Sequence, residues 1–219
     1  MEEKEKVSGT TEIVFILDKS GSMHGKEADT IGGFNSVIEE QKKLEGKALV
    51  STVLFSSYSQ VLHDRVDLKE VQPLDESKYI VGGNTALLDA VGNAIKHIRN
   101  IHKYARSEDI PQKTIFVITT DGYENASRFY SFGAIKKLIA EQENKGWEFI
   151  FLGANINSAE FAESMGIRRE RAVDFSVKHM DDWGATVSDA VCYCRSGISI
   201  EGSDWAKKSR ERMAKRSKQ

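Results

Sequence analysis

The residues best suited to chemistry stand where apolar runs stop. Glu12-Ile13-Val14-Phe15-Ile16-Leu17 breaks off into Asp18-Lys19-Ser20-Gly21-Ser22-Met23, and Lys113-Thr114-Ile115-Phe116-Val117-Ile118-Thr119-Thr120 ends in Asp121-Gly122. Between them, Gly82-Gly83-Asn84-Thr85 opens a helical pattern. The two carboxylates Asp18 and Asp121 and the three hydroxyls Ser20, Ser22 and Thr85 are hard oxygen donors of the kind Mg2+ prefers, with Mn2+ as the alternative, whereas zinc calls for His or Cys. A loop turning over a strand end, helped by Gly21, aims the alternate side chains of Asp18-x-Ser20-x-Ser22 at one point. Two carboxylates at most balance a divalent ion, and hydroxyls add no charge. Such an ion keeps an attraction for one more anionic oxygen, for example a partner's Asp or Glu. Each residue also has an ordinary role open to it: the aspartates and Thr85 can cap helices, and the serines can be turn residues. Five oxygen residues at matching strand edges favour the metal site.

The elements that must position these residues follow from periodicity. Five consecutive apolar residues ending at Leu17 suit a strand covered on both faces. A helix over 25–45 carries Ile31, Phe34 and Ile38 on one face and closes at Gly46, and 47–55 forms the second strand. The Ser56-Ser57 link into 58–65 is too short for a crossover helix, so the third strand runs antiparallel at an edge. Residues 66–81 form a loop with a helical turn, and the helix after Thr85 carries Leu88, Val91, Ile95 and Ile98 inward. Strands at 113–120, 147–153 and 171–176 alternate with helices over 131–145, 157–166 and a last one faced by Trp183, Val187, Val191 and Cys194. The pattern predicts a doubly wound, Rossmann-like α/β fold: a mostly parallel six-stranded sheet with one antiparallel edge strand and helices on both faces. In such sheets ligands bind at the carboxyl ends of the strands, where strand order reverses. If the first and fourth strands are neighbours there, all three polar clusters share one crevice.

Phe15-Ile16-Leu17-Asp18-Lys19-Ser20-Gly21-Ser22-Met23, Gly83-Asn84-Thr85-Ala86-Leu87 and Thr119-Thr120-Asp121-Gly122 together resemble the von Willebrand factor A domain, over about residues 10 to 195. All three parts of that family's metal-ion-dependent adhesion site are present in order. The resemblance implies that Ser20, Ser22 and Thr85 coordinate Mg2+ and that Asp18 and Asp121 act mainly through water or hydrogen bonds. A ligand carboxylate or water fills the sixth position. It also implies a binding or scaffolding module, closer to the compact bacterial and phage proteins than to the secreted adhesion domains. Met23 and His24 on one side of the crevice and Tyr123, Glu124, Asn125 and Arg128 on the other are candidates for contacting a partner, since binding residues concentrate on loops held by a scaffold; an ordinary polar loop is the competing account.

The remaining features bound the function. No apolar run approaches the roughly 20 residues of a membrane helix, and the charged start Met1 to Lys6 has no apolar segment of leader type behind it, so a cytoplasmic location is expected. Cys192 and Cys194 are expected to be reduced thiols. Net charge is −2 over 219 residues, yet Lys207 to Gln219 holds seven Lys/Arg against one Glu. We therefore divide the chain into a charged extension at 1–10, a domain at 11–198 and a basic tail at 199–219, which is either a solvated terminus or a nucleic-acid contact. Trp205 beside Lys207 and Lys208 packs core or tail, or stacks on a base. His97 and His102, five residues apart, cannot form the i, i+4 pair of a zinc protease helix. The rival function is a Mg2+-dependent phosphohydrolase or phosphotransferase with Asp18 as nucleophile. Enzymes of that type place a second carboxylate two residues on, where this chain has Ser20, and neither a phosphate loop nor a Gly-x-Ser-x-Gly elbow occurs.

Overall fold

The computed structural model describes residues 9–154, 156–175, 180–197, 205 and 211. Six strands, β1 (Thr11–Asp18), β2 (Ala48–Phe55), β3 (Ser59–Asp67), β4 (Lys113–Thr120), β5 (Glu148–Gly153) and β6 (Ala172–Asp174), form one sheet in the order β3-β2-β1-β4-β5-β6. All neighbouring strands are parallel except β3, which pairs antiparallel with β2 at the edge, as the short Ser56-Ser57 link requires. The helices are α1 (Glu27–Lys42), α2 (Leu87–Tyr104), α3 (Phe132–Glu143), α4 (Ser158–Met165) and α5 (Met180–Arg195). β3 extends through Asp67 into the 66–81 stretch expected to be loop, and a 3-10 turn at Leu68–Glu70 follows it. The end segments expected at 1–10 and 199–219 lie largely outside the described residues.

Alternation along β1 divides the core in two. Ile13, Phe15 and Leu17 point to a layer shared with α1 and α5, through Phe34, Val37, Trp183, Val187 and Val191. Val14 and Ile16 point the other way, to Leu88, Val91 and Ile95 of α2, Ile139 of α3 and Phe161 of α4. All the β1 residues are essentially unexposed, and each such large apolar side chain contributes roughly 1.5–3 kcal/mol of transfer free energy. The close approach of α1 and α5 depends on two glycines: a Cβ at Gly33 would meet the Trp183 ring at 2.5 Å, and one at Gly184 would meet the Gly33 carbonyl oxygen at 3.1 Å. Trp205, which the sequence places in the tail, is 1 % exposed and belongs to the α1 and α5 layer, so its ring offers no free face to a base.

This architecture sets β1 beside both β2 and β4. Asp18 pairs with Phe55 and Leu17 with Thr119. Strand order reverses between β1 and β4, the crevice predicted to gather the polar residues. Among the described residues no helix is long and apolar enough to cross a membrane.

Candidate metal centre

β1 delivers Asp18 to the sheet edge at 1 % exposure, and the chain then turns sharply through a 3-10 turn at Gly21–Met23. Met23 is buried at 1 % exposure, so this residue pins the loop to the core and presents no surface to a partner. The Ser20 N–H donates to Asp18 Oδ1 at 2.7 Å, and the Thr120 hydroxyl, from the end of β4, donates to Asp18 Oδ2 at 2.6 Å. The buried Tyr79 hydroxyl donates to the Asp18 carbonyl oxygen. Burial pushes the Asp18 carboxyl above its ordinary value of 3.8, the bonds from Ser20 and Thr120 pull it back, and the charge of Asp121 adds a smaller push upward.

The hydroxyls converge on the same point. Ser20 Oγ and Ser22 Oγ lie 3.0 Å apart, and Ser22 Oγ donates to Asp121 Oδ1. A methyl in place of a Gly122 hydrogen would sit 3.4 Å from Ser22 Oγ and 3.8 Å from Thr85 Oγ1, which places Thr85 on the same small space. Two backbone bonds lock the 82–85 loop to the β1 loop: Gly21 N–H to the Gly83 carbonyl at 2.9 Å and Gly82 N–H to the Lys19 carbonyl at 2.8 Å. Gly83 has φ +83° and a Cβ there would meet Ser57 Oγ at 2.8 Å, so only glycine fits this turn without strain. The structure thus brings together all five residues singled out for metal binding.

The remaining candidates divide. Glu124 Oε2 accepts from the Leu88 N–H at 2.8 Å, in the first turn of α2, while Glu124 Oε1 accepts from the N–H groups of Ala126 and Ser127. Asn125 brackets Thr85, its side-chain oxygen accepting from Thr85 N–H and its own N–H donating to the Thr85 carbonyl. These two side chains therefore hold the β4 loop and Thr85 in place. Tyr123 is 57 % exposed, with its ring edge-on to Phe161 at 5.7 Å. Arg128 is exposed, and its backbone N–H donates to Asp89 at 2.8 Å. His24 is exposed and 3.5 Å from Glu27. Of the other histidines, His97 pairs with Asp64 and His102 with Glu12.

Three site residues escaped the sequence reading. Thr120 and Tyr79 hold Asp18, and Lys26 reaches back to donate to both Asp121 Oδ2 and, at 2.8 Å, the Ser22 carbonyl. No local spacing announces Lys26, because the chain between it and Ser22 leaves helical geometry, with ψ 131° at His24 and φ +81° at Gly25.

The donor set fits a small divalent ion. Octahedral coordination at Mg2+ distances requires neighbouring oxygens about 2.9 Å apart, close to the 3.0 Å between the Ser20 and Ser22 hydroxyls. Among the described residues no group of three or more His, Cys, Asp and Glu could hold a metal, so this mixed hydroxyl and carboxylate set is the candidate.

The model of the von Willebrand factor type A domain matches residues 12–189. The chain belongs to that family. No curated protein matches this von Willebrand factor A chain in sequence. Among solved structures it is similar to proximal thread matrix protein 1 from the mussel byssus, with 17 % identity and a TM-score of 0.59 over 85 % of this chain and 47 % of that one. It is also similar to the vWF domain of the type V pili tip protein Mfa5 from Porphyromonas gingivalis, with 10 % identity and a TM-score of 0.60 over 88 % and 97 %. A third similarity is to the manganese-loaded TRAP protein of Plasmodium vivax, with 17 % identity and a TM-score of 0.56 over 78 % and 70 %. The mussel protein is also known with a zinc-occupied MIDAS motif, at 15 % identity and a TM-score of 0.53 over 83 % of this chain and 46 % of that one. The chain spans about half the length of the mussel protein, and at these identities the likeness concerns the fold.

Proposed function

We propose that this chain is a Mg2+-dependent protein-binding module that captures an acidic side chain of a partner. The carrying observation is the convergence of Asp18, Ser20, Ser22, Thr85 and Asp121 on the crevice between β1 and β4. Ser20, Ser22 and Thr85 would hold the ion through their hydroxyls, and Asp18 and Asp121 would orient those hydroxyls and supply the balancing charge. When bound, the ion supplies the positive charge that holds a partner's carboxylate. The metal-bearing forms of the mussel and Plasmodium proteins support a divalent ion on this fold, and oxygen donors favour Mg2+, with Mn2+ as the alternative. Around the crevice Tyr58, Ile80, Tyr123 and Phe129 stand 83, 66, 57 and 82 % exposed on loops at the carboxyl end of the sheet, an apolar rim suited to flanking residues of a protein partner. The cytoplasmic setting proposed for the chain keeps Cys192 and Cys194 reduced, and burial, the main cause, pushes the Cys194 thiol up to about 12, which makes it inert.

The same geometry supports the proposal that the role is non-enzymatic. Both oxygens of the buried Asp18 accept hydrogen bonds, an arrangement suited to holding a loop rather than to attacking phosphorus. Calorimetric titration of Mg2+ into the wild type, Asp18→Ala and Ser20→Ala tests the assignment, with affinity expected to fall at least tenfold in both variants. Equal affinity in all three overturns it. Capture of a partner should fall with a chelator in the same measure.

A further inference from the structure

Lys26 is placed against the electrostatic preference of its own element. It is the residue that precedes α1, where the helix dipole favours negative charge, as Glu27 and Asp29 in the first turn illustrate. Its backbone is held from both sides, its N–H donating to the Met23 carbonyl at 3.0 Å and its carbonyl accepting the N–H and hydroxyl of Thr30, each at 2.9 Å. The side chain turns back over the loop, and its ammonium lies on Asp121 Oδ2 and the Ser22 carbonyl. The contact is shielded, the two side chains being 16 and 1 % exposed. Both Asp121 oxygens are therefore engaged from one short segment, Oδ1 by the Ser22 hydroxyl and Oδ2 by Lys26.

We propose that Lys26 is an internal competitor of the divalent ion for Asp121 and so sets the metal affinity of the site. This rests on the metal-site reading above. The charge count gives the mechanism. Asp18 and Asp121 together neutralise one divalent ion, and the ammonium of Lys26 adds a positive charge that the site does not need for that purpose. A like charge a few ångströms away costs an incoming cation at least about tenfold in affinity at the effective dielectric of a protein surface. The same surplus charge favours an anionic oxygen once the ion is in place, so Lys26 exchanges tight metal binding for stronger attraction of a partner's carboxylate. A merely structural lysine has the opposite signature: its loss would loosen the Ser22 to Lys26 loop and weaken metal binding.

The test is calorimetric titration of MgCl2 into the wild type, Lys26→Met, Lys26→Arg and Ser20→Ala, with thermal unfolding in chelator as a check on folding. Lys26→Met is expected to bind Mg2+ about tenfold more tightly than the wild type, Lys26→Arg to stay near the wild type because it keeps the charge, and Ser20→Ala to lose affinity. Tight binding by Lys26→Met with none detectable in the wild type also supports the proposal. Equal or weaker binding by Lys26→Met, with Ser20→Ala still weaker than the wild type, overturns the role of Lys26 and leaves the metal site standing. Equal and detectable binding by the wild type and Ser20→Ala, or no binding by any variant, overturns the metal site and the role of Lys26 with it. If Lys26→Met does not fold, Lys26→Gln, which is neutral and still able to donate to the Ser22 carbonyl, replaces it under the same criteria.

Discussion

β1 carries a buried carboxylate near each end, and the two are treated in opposite ways. Glu12 and Asp18 project from the same face of the strand, six residues or roughly 20 Å apart, at 0 and 1 % exposure. Glu12 is met by a full charge and a ring nitrogen: Arg65 Nε donates to one oxygen at 2.6 Å, and His102 Nε2 lies 2.6 Å from the other. Arg65 reaches it from the edge strand through an irregularity in the β2 and β3 pairing, with φ at +52°, a conformation a non-glycine residue adopts only when its contacts hold it there. Asp18 is met by neutral donors, a backbone N–H and a threonine hydroxyl. The first end is closed, its charge answered inside the fold. The second is supported geometrically while its charge stays available, which is what a site for an external cation requires.

The largest test of this contrast is Glu12→Ala. Removing one member of the buried Glu12 and Arg65 ion pair leaves the other uncompensated, and we expect a loss of about 3 kcal/mol in urea unfolding, with the Mg2+ affinity of the folded variant unchanged. A parallel fall in Mg2+ affinity would show that the two ends are not independent. Asp18→Asn should do the reverse. Mg2+ affinity measured by calorimetry should fall about 100-fold, while relief of the buried charge should raise the stability of the metal-free protein by about 1 kcal/mol, or roughly 2–4 °C in melting temperature. Stability lost in chelator would make Asp18 another Glu12.

The smallest effect is the pH dependence of that gain. Because the folded Asp18 carboxyl titrates above its ordinary 3.8, the folded wild type takes up a proton before the unfolded chain does. Its stability relative to Asp18→Asn therefore rises as pH falls through the folded value towards 3.8. The advantage of Asp18→Asn in chelator should be full at neutral pH and shrink across that window. An advantage constant with pH would mean that the Asp18 charge carries no cost.

Much of this was legible in the chain because the relevant signals are local. Burial on both faces of a strand leaves an uninterrupted apolar run, and Ile13 to Leu17 and Ile115 to Ile118 announce β1 and β4 and place Asp18 and Asp121 at their ends. Helical spacing likewise identified the inward face of α5, where Trp183, Val187, Val191 and Cys194 are all buried. The short Ser56-Ser57 link settled the direction of β3. What local spacing could not reveal was which polar side chains would be occupied. Glu124 and Asn125 looked like loop residues open to a partner, and they are bound to backbone 36 and 40 positions away. Met23 shares that loop character in sequence and is core in the fold.

By itself the sequence determined the fold class, the strand ends and the five oxygen donors, since periodicity and residue type act over a few residues and need no knowledge of distant neighbours. Only the tertiary structure decided what each buried charge meets. Glu12 finds its partners 53 and 90 residues away and Asp121 finds Lys26 at a separation of 95. The energy of a buried charge depends on the groups within a few ångströms, and chain folding alone brings those groups there.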